Sequence, residues 1–548
     1  MLRSEKIPEV PSETARIACA AYPKGALFMR LRDELGVFLT DDKFSSLYPR
    51  RGQPAAAPWR LMLISVMQYV ENLTDRQAAD AVRGHLAWKY ALSLELDDQG
   101  IDASVLSEFR TRLLNASEPL AWLDQLLAVC QEKALLKRHG QQRTDSTHVL
   151  GAIRVMNRLE LITECMRAAL NALATIAPEW LSEVAEEEWY DRYAHRAENY
   201  RMPKSESAKL LYADQVGQDG MKLLSLLKRP DAPAAGQHLS EVLTLKRCWH
   251  RQFITDIGRL RFKMRIELEK DRPMQVESPY DPDVRYSTKR GREWRGYKVH
   301  LSETCDDELP HLITHVATTT AEVQDAPLGQ EIQASLFSRD LQPEEHYVDA
   351  GYNAAELIVI ARAQHGTEII GPVRPNNSWS SRQKGTFVLR DFDIDWESKK
   401  VTCPNDVQSE RWTPTRRKSG QAIIVVTFPQ ETCLHCSIRE NCVRSETRPK
   451  SLTFQPQAQQ EALHAARDAM KDPKAQLRYQ RRAGIEGTLS QGVRAFGLRK
   501  CRYRGLKKTH LQHVLTALAL NVVRICDWLE GQRPQGTRSS RFAQLRAA

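Results

Sequence analysis

Nowhere in its 548 residues does the chain gather the 18 apolar residues that a helix needs to cross a bilayer. The opening MLRSEKIPEVPSET lacks the apolar stretch of a secretory leader. No internal repeat and no low-complexity block occurs, which argues against a solenoid or a fibrous chain. Together these absences predict a soluble, cytoplasmic protein. Cysteine is sparse and its count of eleven is odd. Seven of them (Cys19, Cys130, Cys165, Cys248, Cys305, Cys501, Cys526) are scattered through hydrophobic segments, a pattern of reduced thiols rather than a disulfide framework. Acid is nearly missing from two stretches. Between Arg478 and Gln512 ten basic residues stand against Glu486 alone, and between Arg285 and Lys298 six stand against Glu293 alone, with Tyr286, Trp294 and Tyr297 interleaved. One basic run is as often a solvated face as a binding face. Two such runs favour a polyanionic partner.

With a net charge of +10 and 42% hydrophobic residues, the chain is an ordinary globular sequence, too long for one simple core. After an N-terminal segment, 1–24, residues 25–135 read as a helical unit. A helix opens near Pro54, and Thr74 and Gln77 form a capping box at the start of the helix DRQAADAVRGHLAWKYALSL. A third helix runs over about 103–114. The unit is either a helix-turn-helix-like DNA reader or a plain bundle. Residues 136–151 hold a Thr- and Val-rich strand, QQRTDSTHVLG, and 152–275 return to helical patterning. Over 276–375 the order is strand, strand, helix, strand, helix, strand, with Asn353 read as the cap of AAELIVIARAQHG. Residues 376–455 are strand-rich and carry four cysteines, 456–530 are helical, and 531–548 form a basic tail. The fold class is α/β, with an N-terminal all-α domain and a small Cys-rich β insert.

Three acids stand where metal-dependent phosphodiester chemistry needs them: one mid-strand, one at a neighbouring strand end and one on a packed helix. Asp145 in RTDSTHV fits the first position. Asp349 in YVDAGYN fits the second, because Gly351 ends the strand. Glu486, within the basic RYQRRAGIEGTLSQGVRAFG, fits the third. Like charges brought together this closely make sense only with cations between them, and hard carboxylate and phosphate oxygens favour Mg²⁺. Alone, an Asp at a strand end is more often a turn or cap residue, and Asp145 could be an ordinary edge-strand Asp; the combination is what carries weight. Asp281, Asp283 and Glu322 are the rival acids, and His148 is a weaker base candidate.

YVDAGYN followed by Tyr479-x2-Arg482-x3-Glu486 resembles the DDE transposases of bacterial insertion sequences. With DPDVRYSTKRGREWRGYKVH and GLRKCRYRGLKKTHLQH, the likeness extends over most of the chain and is similar to the insertion-sequence group called eleven-eighty-two. That resemblance implies a ribonuclease H-like catalytic core interrupted by a helical insertion after its first strand. It implies two Mg²⁺ ions, with Mn²⁺ able to stand in, on Asp145, Asp349 and Glu486, and Tyr479 and Arg482 on DNA ends. It further implies binding of terminal inverted repeats and target DNA by a homodimer at the bacterial nucleoid, with strand cleavage followed by strand transfer. One departure stands out. Where the family carries Lys seven residues after the third acid, this chain has Val493, and Arg494 lies about 100° further round a helix. Arg285, Lys289, Arg290, Arg292, Lys298, Arg494, Arg499, Lys500, Arg502, Arg504, Lys507 and Lys508 are the candidate phosphate contacts.

Cys433-x2-Cys436-x5-Cys442, with Cys403 thirty residues upstream, has a spacing that could complete a four-cysteine structural Zn²⁺ site; four metal-free thiols are the alternative. Two other functions fit much of the same pattern: a metal-dependent nuclease without strand transfer, and a catalytically silent DNA-binding protein derived from a transposase.

Overall fold

The computed structural model describes residues 1–2, 6–116, 119–256, 258–268, 275–289 and 291–533. Arg290 and residues 534–548 of the basic tail lie outside them. Six strands form the central sheet: β1 (Gln141–Leu150), β2 (Arg285–Lys289), β3 (Arg292–Thr304), β4 (Ile313–Thr320), β5 (Glu345–Tyr347) and β6 (Glu368–Ile370). β1 lies at the centre, antiparallel to β3 and parallel to β5. β4 and β2 both pair antiparallel with β3, and β6 pairs parallel with β5. The order across the sheet is therefore β4-β3-β1-β5-β6, with β2 forming a hairpin on β3. Register sets Asp145 opposite Leu301 and Arg143 opposite both Glu303 and Tyr347. A β-bulge interrupts the β3–β4 pairing between Ser302 and Glu303.

One hydrophobic core joins this sheet to both ends of the chain. Tyr69 and Met62 from the helix Pro58–Val70, Val316 from β4, and Leu515 and Leu518 from the helix Leu506–Leu529 are all buried within it. Asn521 fastens that last helix to the sheet, accepting from the Ile313 amide at 2.7 Å and donating to the Ile313 carbonyl at 2.9 Å. The N-terminal helices thus pack against the sheet and the last helix, with a small core of their own around Ala18, Met29 and Ala87.

The helical insertion has its own core, built from the helices Arg158–Ile176, Glu206–Leu226 and Ser240–Gln252 around Ile162, Met166, Val216, Leu245 and Trp249. Gly220 permits that packing: a Cβ there would stand 2.2 Å from the Trp249 ring. The Cys-rich segment has a third core of Phe392, Val401, Val426, Phe428 and Phe454. No helix among the described residues is long and apolar enough to cross a membrane.

Several local expectations need correction. The first long helix begins at Pro58, four residues later than expected, with proline in its first turn where no amide partner is required. The Thr74–Gln77 capping box forms, but its helix stops at Gly84, and a separate helix starts at Leu86 because His85 is extended. Asn353 does not cap the helix Ala355–His365. It is buried, and its amide donates to the Gly371 carbonyl at 2.7 Å, which ties the end of β5 to the loop after β6. The insertion contains a small hairpin, Phe253–Asp256 with Arg259–Phe262, where helix alone was expected.

Candidate active site and cysteine cluster

Asp145 sits mid-way along β1 and is 8% exposed. Its Oδ1 accepts from the Ser146 amide at 2.7 Å, and its Oδ2 accepts from Arg482 Nη2 at 2.6 Å. Burial pushes this carboxyl above its ordinary range; Arg482 pulls against that rise and Asp349 adds to it. Asp349 follows β5 directly, and its Oδ1 accepts from the Gly351 amide at 2.8 Å and the Tyr352 amide at 3.3 Å. Those turn bonds fix the carboxylate where Asp145 feels its charge.

The third acid arrives on a broken helix. Pro473–Tyr479 is α-helical, Gln480–Ala483 tightens to a 3₁₀ turn, and Gly484–Ala495 resumes the α-helix. The glycine at the break answers to packing, since a Cβ on Gly484 would fall 2.0 Å from Arg143 Nη1. Glu486 is 68% exposed, and its Oε1 lies 3.5 Å from Arg482 Nη1. A single guanidinium therefore spans the strand acid and the helix acid. Burial opposes the charge on Arg482, yet Asp145, Tyr479, Asp349 and Glu486 together raise its affinity for the proton. Tyr479 is half-buried beside Cys305, Tyr347 and Ile370, and burial and the same three acids raise its hydroxyl. Residues 204 and then 137 positions apart thus share one electrostatic site. Among the described residues, no three His, Cys, Asp or Glu side chains stand close enough to chelate an ion as they are placed.

Each rival acid has other work. Asp281 is buried and accepts the Tyr297 hydroxyl at 2.6 Å, Asp283 accepts the Leu506 amide at 3.0 Å, and Glu322 lies 3.5 Å from Arg285. His148 packs against Trp294, its basicity lowered by burial and by Arg499, Arg292 and Lys289.

The basic candidates divide by exposure. Lys289, Arg292, Arg494, Lys500, Arg504, Lys507 and Lys508 are exposed. Four others are held inside the fold. Lys298 pairs with Asp325 at 3.2 Å, Arg285 donates to the Pro282 carbonyl, and Arg499 donates to Thr147 Oγ1 at 3.0 Å. Arg502 donates to the Leu73 carbonyl and to Asn72 while lying over the Tyr69 ring, so it joins the last segment to the N-terminal bundle. Val493 packs partly buried against the main core, which explains why an apolar residue serves there.

Residues that sequence reasoning passed over complete the site. A Cβ on Gly351 would lie 2.8 Å from Asp349 Oδ1 and 3.3 Å from Asp325 Oδ2, so these two carboxylates flank one point of backbone. Asp325 carried no sequence signal beyond being an acid in a first helical turn. Arg143, two residues before Asp145, and Glu303, opposite it on β3, are buried charges within strands. A buried strand charge stands out in an alternating pattern only once its burial is known.

The four cysteines line one pocket of about 30 Å³ together with Asn405, Phe428 and Lys450; His435 is not part of its wall. Burial raises the Cys442 thiol, and the other three sulfurs add to the rise. Arg439 and Lys450 brace the cluster by donating to the carbonyls of Cys433 and Cys442 at 2.8 and 2.7 Å.

Residues 402–526, which include Glu486 and all four cysteines, match the family model described as a transposase DDE domain. Residues 23–112 match the model described as a transposase domain (DUF772). No curated protein matches the chain. Among solved structures, a chain of a cryo-EM structure of a piggyBac transposase synaptic complex with hairpin DNA is similar at 10% identity. That match covers 93% of this chain and 77% of that one, with a TM-score of 0.26.

Proposed function

We propose that this protein, a DNA transposase of the DDE class by its two matched domains, cuts and joins DNA at Asp145, Asp349 and Glu486. The observation that carries the site assignment is the Arg482 guanidinium, which contacts Asp145 and Glu486 and feels Asp349. One guanidinium pairs with two of these acids and lies in the field of the third, which supports a donor set suited to positive charge. The sheet order and its antiparallel, antiparallel, parallel, parallel pairing around β1 support a ribonuclease H-like core.

Asp145, Asp349 and Glu486 would hold two Mg²⁺ ions, or Mn²⁺ in their place, which would supply the charge that activates the attacking oxygen and neutralises the leaving one. Glu486, being exposed, has the rotamer freedom to turn inward. Arg482, half-buried with a forked donor set, suits a DNA phosphate beside the acids. Tyr479 packs next to it. Water, and afterwards a 3′-OH, attacks the phosphodiester in line, so no covalent protein–DNA link is formed.

Lys289, Arg292, Arg494, Lys500, Arg504, Lys507 and Lys508 contact DNA backbone along the terminal repeats and target, and the helical unit at 25–135 reads the repeat sequence. Two ends must be brought together, which calls for a homodimer on DNA. Cys403, Cys433, Cys436 and Cys442 line one pocket with soft donors, and on drawing together would hold one structural Zn²⁺.

The test is incubation of the protein with linear DNA bearing its own terminal repeats, in Mg²⁺ and in EDTA. Mg²⁺-dependent nicking with joined product is the expected result. Nicking without joining would reduce the protein to a nuclease, and a mobility shift without cutting to a DNA binder.

A further inference from the structure

The geometry points to Glu303 as the positioning residue that holds the helix bearing Glu486 against β1, the strand that carries Asp145. The inference rests on the site assignment above and adds a residue that meets neither DNA nor cation.

Glu303 is wholly buried on β3. Its Oε1 accepts from Arg143 Nε at 2.7 Å. Its Oε2 accepts from Arg524 Nη1 at 2.8 Å and from Thr488 Oγ1 at 2.5 Å. These three partners belong to three separate pieces of the site. Arg143 is on β1, two residues before Asp145 and on the same face of the sheet. Thr488 is on the acid-bearing helix, two residues after Glu486. Arg524 comes from the last helix, and its second nitrogen donates to Thr488 Oγ1 at 2.6 Å. Arg143 reaches further, donating from Nη1 to the Arg481 carbonyl at 2.7 Å, next to the residue that spans the acids.

Two residues along an α-helix is about 200° of rotation, so Thr488 faces inward when Glu486 faces out. The Thr488 hydroxyl on Glu303 therefore fixes the helix's rotation as well as its distance from β1. Burial disfavours the charge on Glu303, while Arg524 and Arg143 outweigh burial and hold it ionised. A buried carboxylate shared by two arginines and a hydroxyl is a rigid joint, because releasing any one partner leaves a charge or donor unsatisfied.

Thr488→Val keeps the shape and both arginine pairs while removing the helix's own bond; Thr488→Ser restores it. Three quantities test the role: half-saturating Mn²⁺ for DNA cleavage, calorimetric Mn²⁺ binding by the DNA-free protein, and DNA affinity in EDTA. For T488V the two cation readouts should weaken by about 10–100-fold, as expected when support for a metal-binding side chain is lost. DNA affinity in EDTA should hold, the melting temperature should fall only modestly because Glu303 keeps both arginines, and T488S should stay near wild type. Glu303→Gln should weaken cation binding further, with a lower melting temperature. Wild-type cation readouts in T488V, or a T488S protein as impaired as T488V, would overturn the role of Glu303. A wild-type protein that binds Mn²⁺ without cutting DNA removes the reaction and leaves the calorimetry to decide the positioning. One that binds no Mn²⁺ overturns both.

Discussion

Replacing Asp145 by Asn removes one charge and almost no volume, so its consequences can be worked out by group. The lost carboxylate pairs with Arg482 at 2.6 Å, and both side chains are mostly buried, at 11% and 15% exposure. Losing a charge-assisted hydrogen bond of this kind costs about 1.5–3 kcal/mol. Against that, burial already penalises the ionised carboxyl and Asp349 repels it, and both terms vanish with the charge. The net stability change should stay within about 1–2 kcal/mol, leaving the protein folded. Catalysis has no such compensation. A missing cation ligand forfeits several kcal/mol of transition-state stabilisation. At 1.36 kcal/mol per factor of ten, single-turnover nicking should fall by about 10³-fold or more. Freed from Asp145, the Arg482 fork gains access to phosphate, so DNA affinity in EDTA should hold or rise. The assay pairs nicking of end-labelled repeat DNA in Mg²⁺ with anisotropy in EDTA. Nicking by a folded D145N protein within tenfold of wild type would refute the site assignment.

Other perturbations separate the roles of neighbouring charges and thiols. Arg504→Gln and Lys507→Gln should each lower the salt slope of DNA binding by about one, while Arg502→Gln should leave the slope unchanged and lower the melting temperature, because Arg502 is spent on Asn72, Leu73 and Tyr69. Cys433→Ser should abolish bound zinc and lower the melting point of the 376–455 segment, with nicking slower but present; purified wild-type protein without zinc would remove this role. Burial drops His300, His346 and His513 to about 3, so the unfolded chain takes up protons from about pH 6.5 downward where the folded chain does not. Their contribution is complete above that pH and falls by about 2 kcal/mol per histidine by about pH 5, and melting curves that stay flat over that range would contradict it.

What could be read from the sequence followed from periodicity and turn chemistry. β1, β3 and β4 declare themselves by β-branched alternation, and Gly351 marks the end of the strand before Asp349. The order of strands and helices from β3 to β6 agrees with the fold element by element. What could not be read depended on partners distant in the chain. Asn353 has the sequence of a helix cap but spends its amide on Gly371, because the loop after β6 passes beside it. Gly484 looks like a helix weakener until Arg143 is seen beneath it. Basic residues look alike in sequence, yet Arg504 faces solvent while Arg502 is stitched to a segment some 430 positions earlier. Pattern reports which face of an element is apolar; it cannot report which charge meets which.

The same distinction explains how the site tolerates so much intervening chain. β1 and β3 pair from Gln142–Thr304 to Leu150–Gly296, so the whole helical insertion sits in the loop that their pairing closes. Loop-closure entropy grows only with the logarithm of length, and the insertion lowers its own cost by folding around a separate core of Ile162, Met166, Leu245 and Trp249. The Cys-rich segment is arranged likewise, a self-contained core placed between β6 and the acid-bearing helix. Neither insert contributes an acid. All three acids lie on elements packed into the shared core of sheet and last helix, with Leu489 and Val348 buried in it beside Glu486 and Asp349. Change in the length of either insert therefore leaves the separation of Asp145, Asp349 and Glu486 untouched, whereas a change at Glu303 or Arg143, close by in space, acts on it directly.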